Sequence, residues 1–188
     1  MSDTLNVVVL VGSLRKESYT RRLAQALIKL APATLKMEIV PIGELPLYNQ
    51  DLESDAPPPP WRAFRDRVRP ADGALFATPE YNRALPAVLK NAIDVGSRPY
   101  GKSVWSGKPA AIVSNSPGMI GGFGANHQLR QSLVFLDMPI LQQPEAYIGG
   151  SDKLFDERGE FVNPTTRDLC TRLVTTFEAW IRATRKPK

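Results

Sequence analysis

Leu5-Asn-Val-Val-Val-Leu-Val-Gly-Ser-Leu-Arg-Lys-Glu-Ser-Tyr-Thr20 is an apolar run that stops at a glycine and gives way to a polar loop. The run from Leu5 to Val11, broken only by Asn6, reads as a strand buried on both faces. Such a strand needs a layer of helices on each side, so this one stretch already predicts an α/β protein.

Working outward, Leu23, Ala26, Leu27 and Leu30 recur at helical spacing, with Ser18 or Thr20 placed to cap the helix and Pro32 to end it. A second strand follows at Leu35 to Val40. Pro41 to Pro60 reads as a rigid connector, because the run Pro57 to Pro60 can be neither helix nor central strand. Helices are expected at Trp61 to Val68, Ala87 to Val95, His127 to Leu136 and Thr165 to Ala183. Strands are expected at Gly73 to Thr78, Ala110 to Ser114 and, interrupted by proline, Ile140 to Ile148. Regular alternation of strand and helix predicts a parallel sheet with right-handed crossovers and helices on both faces. The 188 residues suffice for one core, so a single domain over 1–188 is expected.

Composition removes several classes of function. The net charge is +5, but the Lys and Arg residues are spread among helices and are not interleaved with aromatics, which argues against nucleic acid and fits an anionic small molecule. No apolar run approaches the roughly 20 residues of a membrane span, and no basic leader precedes the first strand, so a cytoplasmic protein is expected. One cysteine, Cys170, and one histidine, His127, leave no disulfide and no ligand set for a metal. Cys170 reads as buried filler, and His127 as a helix cap or interface residue.

In a parallel sheet the ligand sits beyond the carboxyl ends of the strands, where strand order reverses. Three loops there have unusual composition. Gly12 to Thr20 offers a tight turn, the hydroxyls of Ser13, Ser18 and Thr20, the Arg15 guanidinium and the free N–H groups of a helix start. It lacks the triphosphate and dinucleotide glycine patterns, which points to a phosphomonoester. Thr78-Pro-Glu-Tyr-Asn-Arg83 presents main-chain edges and Tyr81 to a flat heteroaromatic ring. Ser114 to Gly124 carries four glycines in eleven residues, which permits close approach of main chain to a ligand.

Gly12-Ser-Leu-Arg15, Pro79-Glu-Tyr-Asn82, Leu89-Lys-Asn-Ala-Ile-Asp94 and Gly121-Gly122, in this order, resemble the NADPH-dependent FMN reductase family, and its bacterial chromate and quinone reductases most of all. The resemblance runs from about Leu5 to Gly150. It implies a flavodoxin-like three-layer sandwich around a five-stranded parallel sheet, non-covalent FMN, NADPH or NADH as co-substrate, and a homodimer or homotetramer. Carried over, Ser13, Arg15, Ser18 and Thr20, with Tyr19 beside them, are the phosphate contacts, and Pro79, Glu80, Tyr81 and Asn82 the ring contacts. Ser114, Ser116, Pro117, Gly118 and Gly121 form the remaining wall. Leu89 to Asp94 is expected to brace the Tyr81 loop and an oligomer interface, where Glu145 and Arg130 can pair. Thr20 stands where relatives often have Asn, and Arg83 where an aromatic or small residue is common.

The implied reaction is ping-pong transfer from reduced nicotinamide through FMN to small acceptors such as quinones, chromate or free flavin. The hard chemistry then belongs to the cofactor, so no proton-transfer catalyst is expected, and Tyr81 and Arg83 are left to orient substrate. An FMN-binding electron carrier without its own NAD(P)H oxidation is the alternative. The basic charge weighs against it, since carriers dock through acidic surfaces.

Overall fold

The computed structural model describes Asp3 to Lys186. Met1, Ser2, Pro187 and Lys188, which the expected domain includes, lie outside the described residues. Five strands, β1 (Leu5–Val11), β2 (Leu35–Ile39), β3 (Gly73–Thr78), β4 (Ala110–Asn115) and β5 (Tyr147–Ile148), form one sheet in the order β2-β1-β3-β4-β5. Every pairing is parallel. Helices α1 (Tyr19–Leu30), α2 (Pro59–Val68), α3 (Ala87–Gly96), α4 (Phe123–Phe135) and α5 (Pro164–Thr184) cover both faces. This is the flavodoxin-like three-layer arrangement, and the strand order reverses between β1 and β3.

Side-chain alternation along the strands builds two cores. Leu5, Val7, Val9 and Val11 of β1 pack with Leu23 and Leu27 of α1 and Phe177 and Ile181 of α5. Val8 and Leu10 face the opposite way, toward Trp61 of α2, Ile93 of α3 and Leu129 of α4. This is the period of two that a pleated strand imposes.

Where element bounds differ from expectation, local chemistry explains the difference. Helix α2 starts at Pro59, inside the proline run, because a first-turn residue needs no N–H donor. Helix α4 starts four residues early, at Phe123, with Gly122 as its left-handed N-cap at φ +76°. His127 therefore lies one turn into the helix and is not its cap. The expected strand from Ile140 to Ile148 contracts to two residues. Ile140 makes one isolated bridge to Ala110, and pairing resumes only past Pro144, which has no N–H to give a ladder. Ser18, and not Thr20, caps α1, its Oγ accepting from Arg21 N at 3.1 Å.

The connector after β2 is strapped to the body. Asn91 of α3 uses its whole amide on it: Oδ1 accepts from Tyr48 N at 2.8 Å, and Nδ2 donates to the carbonyls of Leu45 and Pro46, each at 3.1 Å. Trp61 Nε1 donates to Pro46 O at 3.0 Å, and the Tyr48 ring stacks on Trp61. Further along, Glu53 takes a bidentate pair from buried Arg65, at 2.8 and 2.6 Å, while Arg65 Nε donates to Val95 O. Asn91 thus braces residues 45–48, while Leu89 of the same motif packs at Gly12 beside Pro79, at the base of the Tyr81 loop.

Two measurements check this packing. Glu53→Ala strands the Arg65 guanidinium without a counter-charge and is expected to cost about 3 kcal/mol in urea unfolding, with partial recovery when Arg65 is also replaced by Met. Burial pushes the Cys170 thiol up to about 12. A thiol reagent at pH 8 should therefore leave native protein unlabelled and label it fully after denaturation.

Candidate functional site

The loops after β1, β3 and β4 are neighbours because their strands are. The β1–β3 ladder pairs Val11 with Ala77, and the β3–β4 ladder pairs Thr78 with Ser114. At the junction Gly12 N donates to Ala77 O at 2.8 Å. A Cβ on Gly12 would lie 3.1 Å from Pro79 Cδ and 3.2 Å from Leu89 Cδ2. Gly12 is therefore needed for close approach of the second loop, and its φ is not positive.

In the first loop, none of the main-chain N–H groups from Ser13 to Thr20 donates to another of the described residues. Ser13 and Thr20 are only 4% and 1% exposed, yet neither hydroxyl has a partner among the described residues. Ser18 Oγ accepts from Arg21 N, which leaves its own proton to donate. Arg15 is exposed, lies 5.5 Å from the Tyr19 ring centroid, and pairs with no carboxylate among the described residues. The first turn of α1 has no acidic residue. Open N–H groups at a helix start, buried hydroxyls and a free guanidinium together suit a phosphate. They fit the phosphate of FMN on the structure's own terms.

The second loop is a two-residue turn in which Tyr81 and Ala84 exchange main-chain hydrogen bonds of 3.0 and 2.9 Å. Asn82 and Arg83 both take positive φ, +51° and +65°. Asn tolerates that region; Arg is there at a cost of roughly 1 kcal/mol. Tyr81 and Asn82 stand exposed at the tip. Glu80 behaves otherwise: its Oε2 accepts from Ala125 N at 3.0 Å, at the positive end of α4. The carboxylate, expected at the ring, is turned onto the helix, which leaves only the Glu80 main chain facing outward. Gly124, not singled out from the sequence, makes this possible. A Cβ there would lie 2.7 Å from Arg83 O.

The third loop divides into lining and support. Ser116 closes a turn, its Oγ donating to Gly118 O at 3.0 Å, and Pro117 and Gly118 are exposed beyond it. Ser114, expected as part of the wall, is fully buried and accepts from Asn126 Nδ2 at 3.3 Å on the α4 side of the sheet. Gly121 has φ +64°, and a Cβ there would sit 2.5 Å from the Tyr147 carbonyl carbon. It pins the loop to β5. Asn115 and Ser151, neither of them anticipated, each keep a buried polar atom without a partner.

His127 Nε2 lies 3.0 Å from Tyr147 Oη, and its ring packs 4.1 Å from that of Phe123. Tyr147 in turn donates to Glu145 Oε1 at 2.8 Å. Burial first, and then the Glu145 bond and charge, push the Tyr147 phenol up to about 12 against the opposing pull of Arg130. It stays a neutral donor. Within the chain, Arg130 donates to Asn126 Oδ1 at 3.1 Å and Leu141 O at 3.3 Å.

A cleft of about 680 Å³ opens at the opposite edge of the sheet, bordered by Asp3, Asp72, Arg182, Arg185 and Lys186. Its cations are already engaged: Arg182 with Glu178 at 2.6 Å, Arg185 with Asp72 at 3.2 Å, Lys186 with Asp137 at 3.3 Å. Room alone does not make it the better anion site. Among the described residues no helix is long and apolar enough to cross a membrane, and no group of His, Cys, Asp and Glu is placed to hold a metal.

Comparison with known proteins finds relatives along nearly the whole chain. The profile of the NADPH-dependent FMN reductase family matches residues 5–153. A quinone reductase of Pseudomonas putida is 60% identical over 185 residues, covering 98% of this chain and 99% of that one. A 2-hydroxy-1,4-benzoquinone reductase of Burkholderia is 46% identical over 178 residues, covering 95% and 97%. The solved structure of a flavoenzyme NAD(P)H:(acceptor) oxidoreductase from Paracoccus denitrificans superposes with a TM-score of 0.90 at 39% identity, covering 96% and 99%.

The two kinds of glycine in the third loop should separate by mutation. Gly121→Ala meets main chain and a forbidden φ, and is expected to cost more than about 2 kcal/mol. Gly118→Ala finds only Ser116 Oγ, at 3.8 Å, and should change the urea midpoint little.

Proposed function

The chain belongs to the NADPH-dependent FMN reductase family, and on that premise we propose that it reduces quinones with electrons from NADPH or NADH by a ping-pong mechanism. It is an oxidoreductase that uses FMN and a reduced nicotinamide. FMN, when bound, supplies the two-electron relay between donor and acceptor.

The chain's own residues do the rest. Open N–H groups between Ser13 and Thr20, the hydroxyls of Ser13, Ser18 and Thr20, and Arg15 hold the phosphate. This unsatisfied donor array at the end of β1 is the observation that carries the reading. Tyr19 stacks beside Arg15 and limits its swing. Pro79, Tyr81, Asn82 and the Glu80 main chain present an edge and a face to the flavin ring, with Ser116, Pro117 and Gly118 opposite. Ser114 and Gly121 hold that wall from behind. No side chain moves a proton to or from the reacting atoms in this scheme.

Quinones are favoured over chromate by the mouth of the site, where Tyr81, Met119, Ile120 and Phe123 are exposed apolar groups around the second and third loops. A flat apolar acceptor gains from such a rim, and a small hydrated dianion does not. Chromate and free flavin are secondary acceptors; Arg83, exposed beside the mouth, has its guanidinium 3.4 Å from Glu80 Oε1 and so offers an anion little free charge. Exposed Val134 and Phe135 on α4 extend the apolar surface and support assembly into a homodimer or homotetramer. The need for reduced nicotinamide supports a cytoplasmic location.

Anaerobic spectroscopy tests this reading. Flavin bands should bleach on adding NADPH or NADH and return on adding benzoquinone, with parallel double-reciprocal lines in steady state. Arg15→Ala should raise the FMN Kd roughly ten- to a hundredfold, as loss of a charged hydrogen bond does. Bands that bleach with a chemical reductant but not with either nicotinamide would indicate a carrier instead.

A further inference from the structure

We infer that Asn115 and Ser151 are cofactor-binding residues that grip the phosphoribityl arm of FMN from the face of the sheet covered by α1. The inference rests on FMN binding at the carboxyl edge and adds residues that neither the motifs nor the resemblance singled out.

Asn115 is the last residue of β4 and 1% exposed; Ser151 follows β5 and is 2% exposed. Asn115 Oδ1 and Ser151 Oγ are the two buried side-chain polar atoms without a hydrogen-bond partner among the described residues. Native proteins satisfy nearly all such atoms, so an orphan calls for a missing partner.

Both point to the same place. Ala111 and Val113 of β4 belong to the core under α1 and α5, whereas Ala110 and Ile112 belong to the other. Alternation therefore sends Asn115 to the α1 side and Ser114 to the α4 side, as the Ser114–Asn126 bond confirms. Asn115 pairs with Ile148 in the ladder, and Ser151 N donates to Ser116 O at 3.1 Å, which sets Ser151 beside the end of β4. The short turn Ser151–Lys153 packs on α1. Thr20 shares the inward face of α1 with Leu23 and Leu27, so its unpartnered hydroxyl faces the same space.

Thr20, Asn115 and Ser151, none of which has a side-chain hydrogen bond among the described residues, thus lie on the α1 side of the sheet near the open N–H groups of the α1 start. An amide and hydroxyls suit a polyol that ends in a phosphate, since each hydroxyl of the chain can donate and accept. They do not suit a planar ring, which needs a face to lie on.

The proposal makes opposite predictions for the cofactor-free and the loaded protein. FMN, riboflavin and lumiflavin, which lacks the arm, would be titrated into cofactor-stripped full-length protein by flavin fluorescence quenching, for wild type, Asn115→Ala and Ser151→Ala. Each substitution should weaken FMN about five- to tenfold and change lumiflavin less than twofold. The urea midpoint of the stripped protein should stay the same or rise, because each substitution removes an unsatisfied buried atom. Unchanged FMN affinity in both variants, or equal weakening of lumiflavin, would overturn the proposal, as would a fall in the stripped protein's midpoint that matched the loss of affinity. A wild-type protein that takes up no FMN would instead defeat the underlying cofactor reading.

Discussion

The hydrogen bond from Gly12 N to Ala77 O is where the ladder joining the two central strands ends, and the placement of every functional group depends on where it ends. Up to that bond, β1 and β3 share one register and their side chains are fully committed to the two cores. Beyond it, the order reversal sends the two chains apart, and polar groups no longer have a strand to pair with. The absent side chain at Gly12 lets Pro79, Pro86 and Leu89 close up against the turn. The first and second loops are therefore held at a fixed separation, which a ligand bridging them requires. Loops on a rigid parallel sheet gain this precision without stiffness of their own.

Several of the molecule's least comfortable features lie at this edge. Asn82 and Arg83 sit at positive φ, and among the described residues the N–H groups of the first loop donate to nothing and Asn115 and Ser151 keep buried atoms unpaired. Each lowers the stability of the ligand-free chain. A ligand that supplied the missing partners would regain that free energy as affinity. At the opposite edge, Asp72, Arg182, Arg185 and Lys186 are engaged with one another or with neighbours, which is how a purely structural cluster of charge behaves.

Much of this was legible in the chain, for physical reasons. The runs Leu5 to Val11, Gly73 to Thr78 and Ala110 to Ser114 cannot be exposed, so three central strands and their order of connection followed directly. The Ser-rich loop before α1 was legible because its donors lie close together in sequence. What escaped was whatever depended on distant partners. Glu80 looked like a ligand contact, but its destination is set by α4, 45 positions away. The role of Asn91 depends on main-chain groups of a proline-rich connector that has no periodicity of its own. Asn115 reads as part of the third loop, and only its place as the last residue of β4, with the sheet's alternation, shows which side it faces.

Hydrogen–deuterium exchange of the stripped protein, with and without FMN, tests the central claim most directly, because it reports location without assuming turnover. FMN should slow exchange at the amides of residues 13–20, 80–83, 116 and 118–121, and leave the Asp3–Asn6 and Arg182–Lys186 edge unchanged. Protection at that opposite edge, or none in the first loop, would contradict the account.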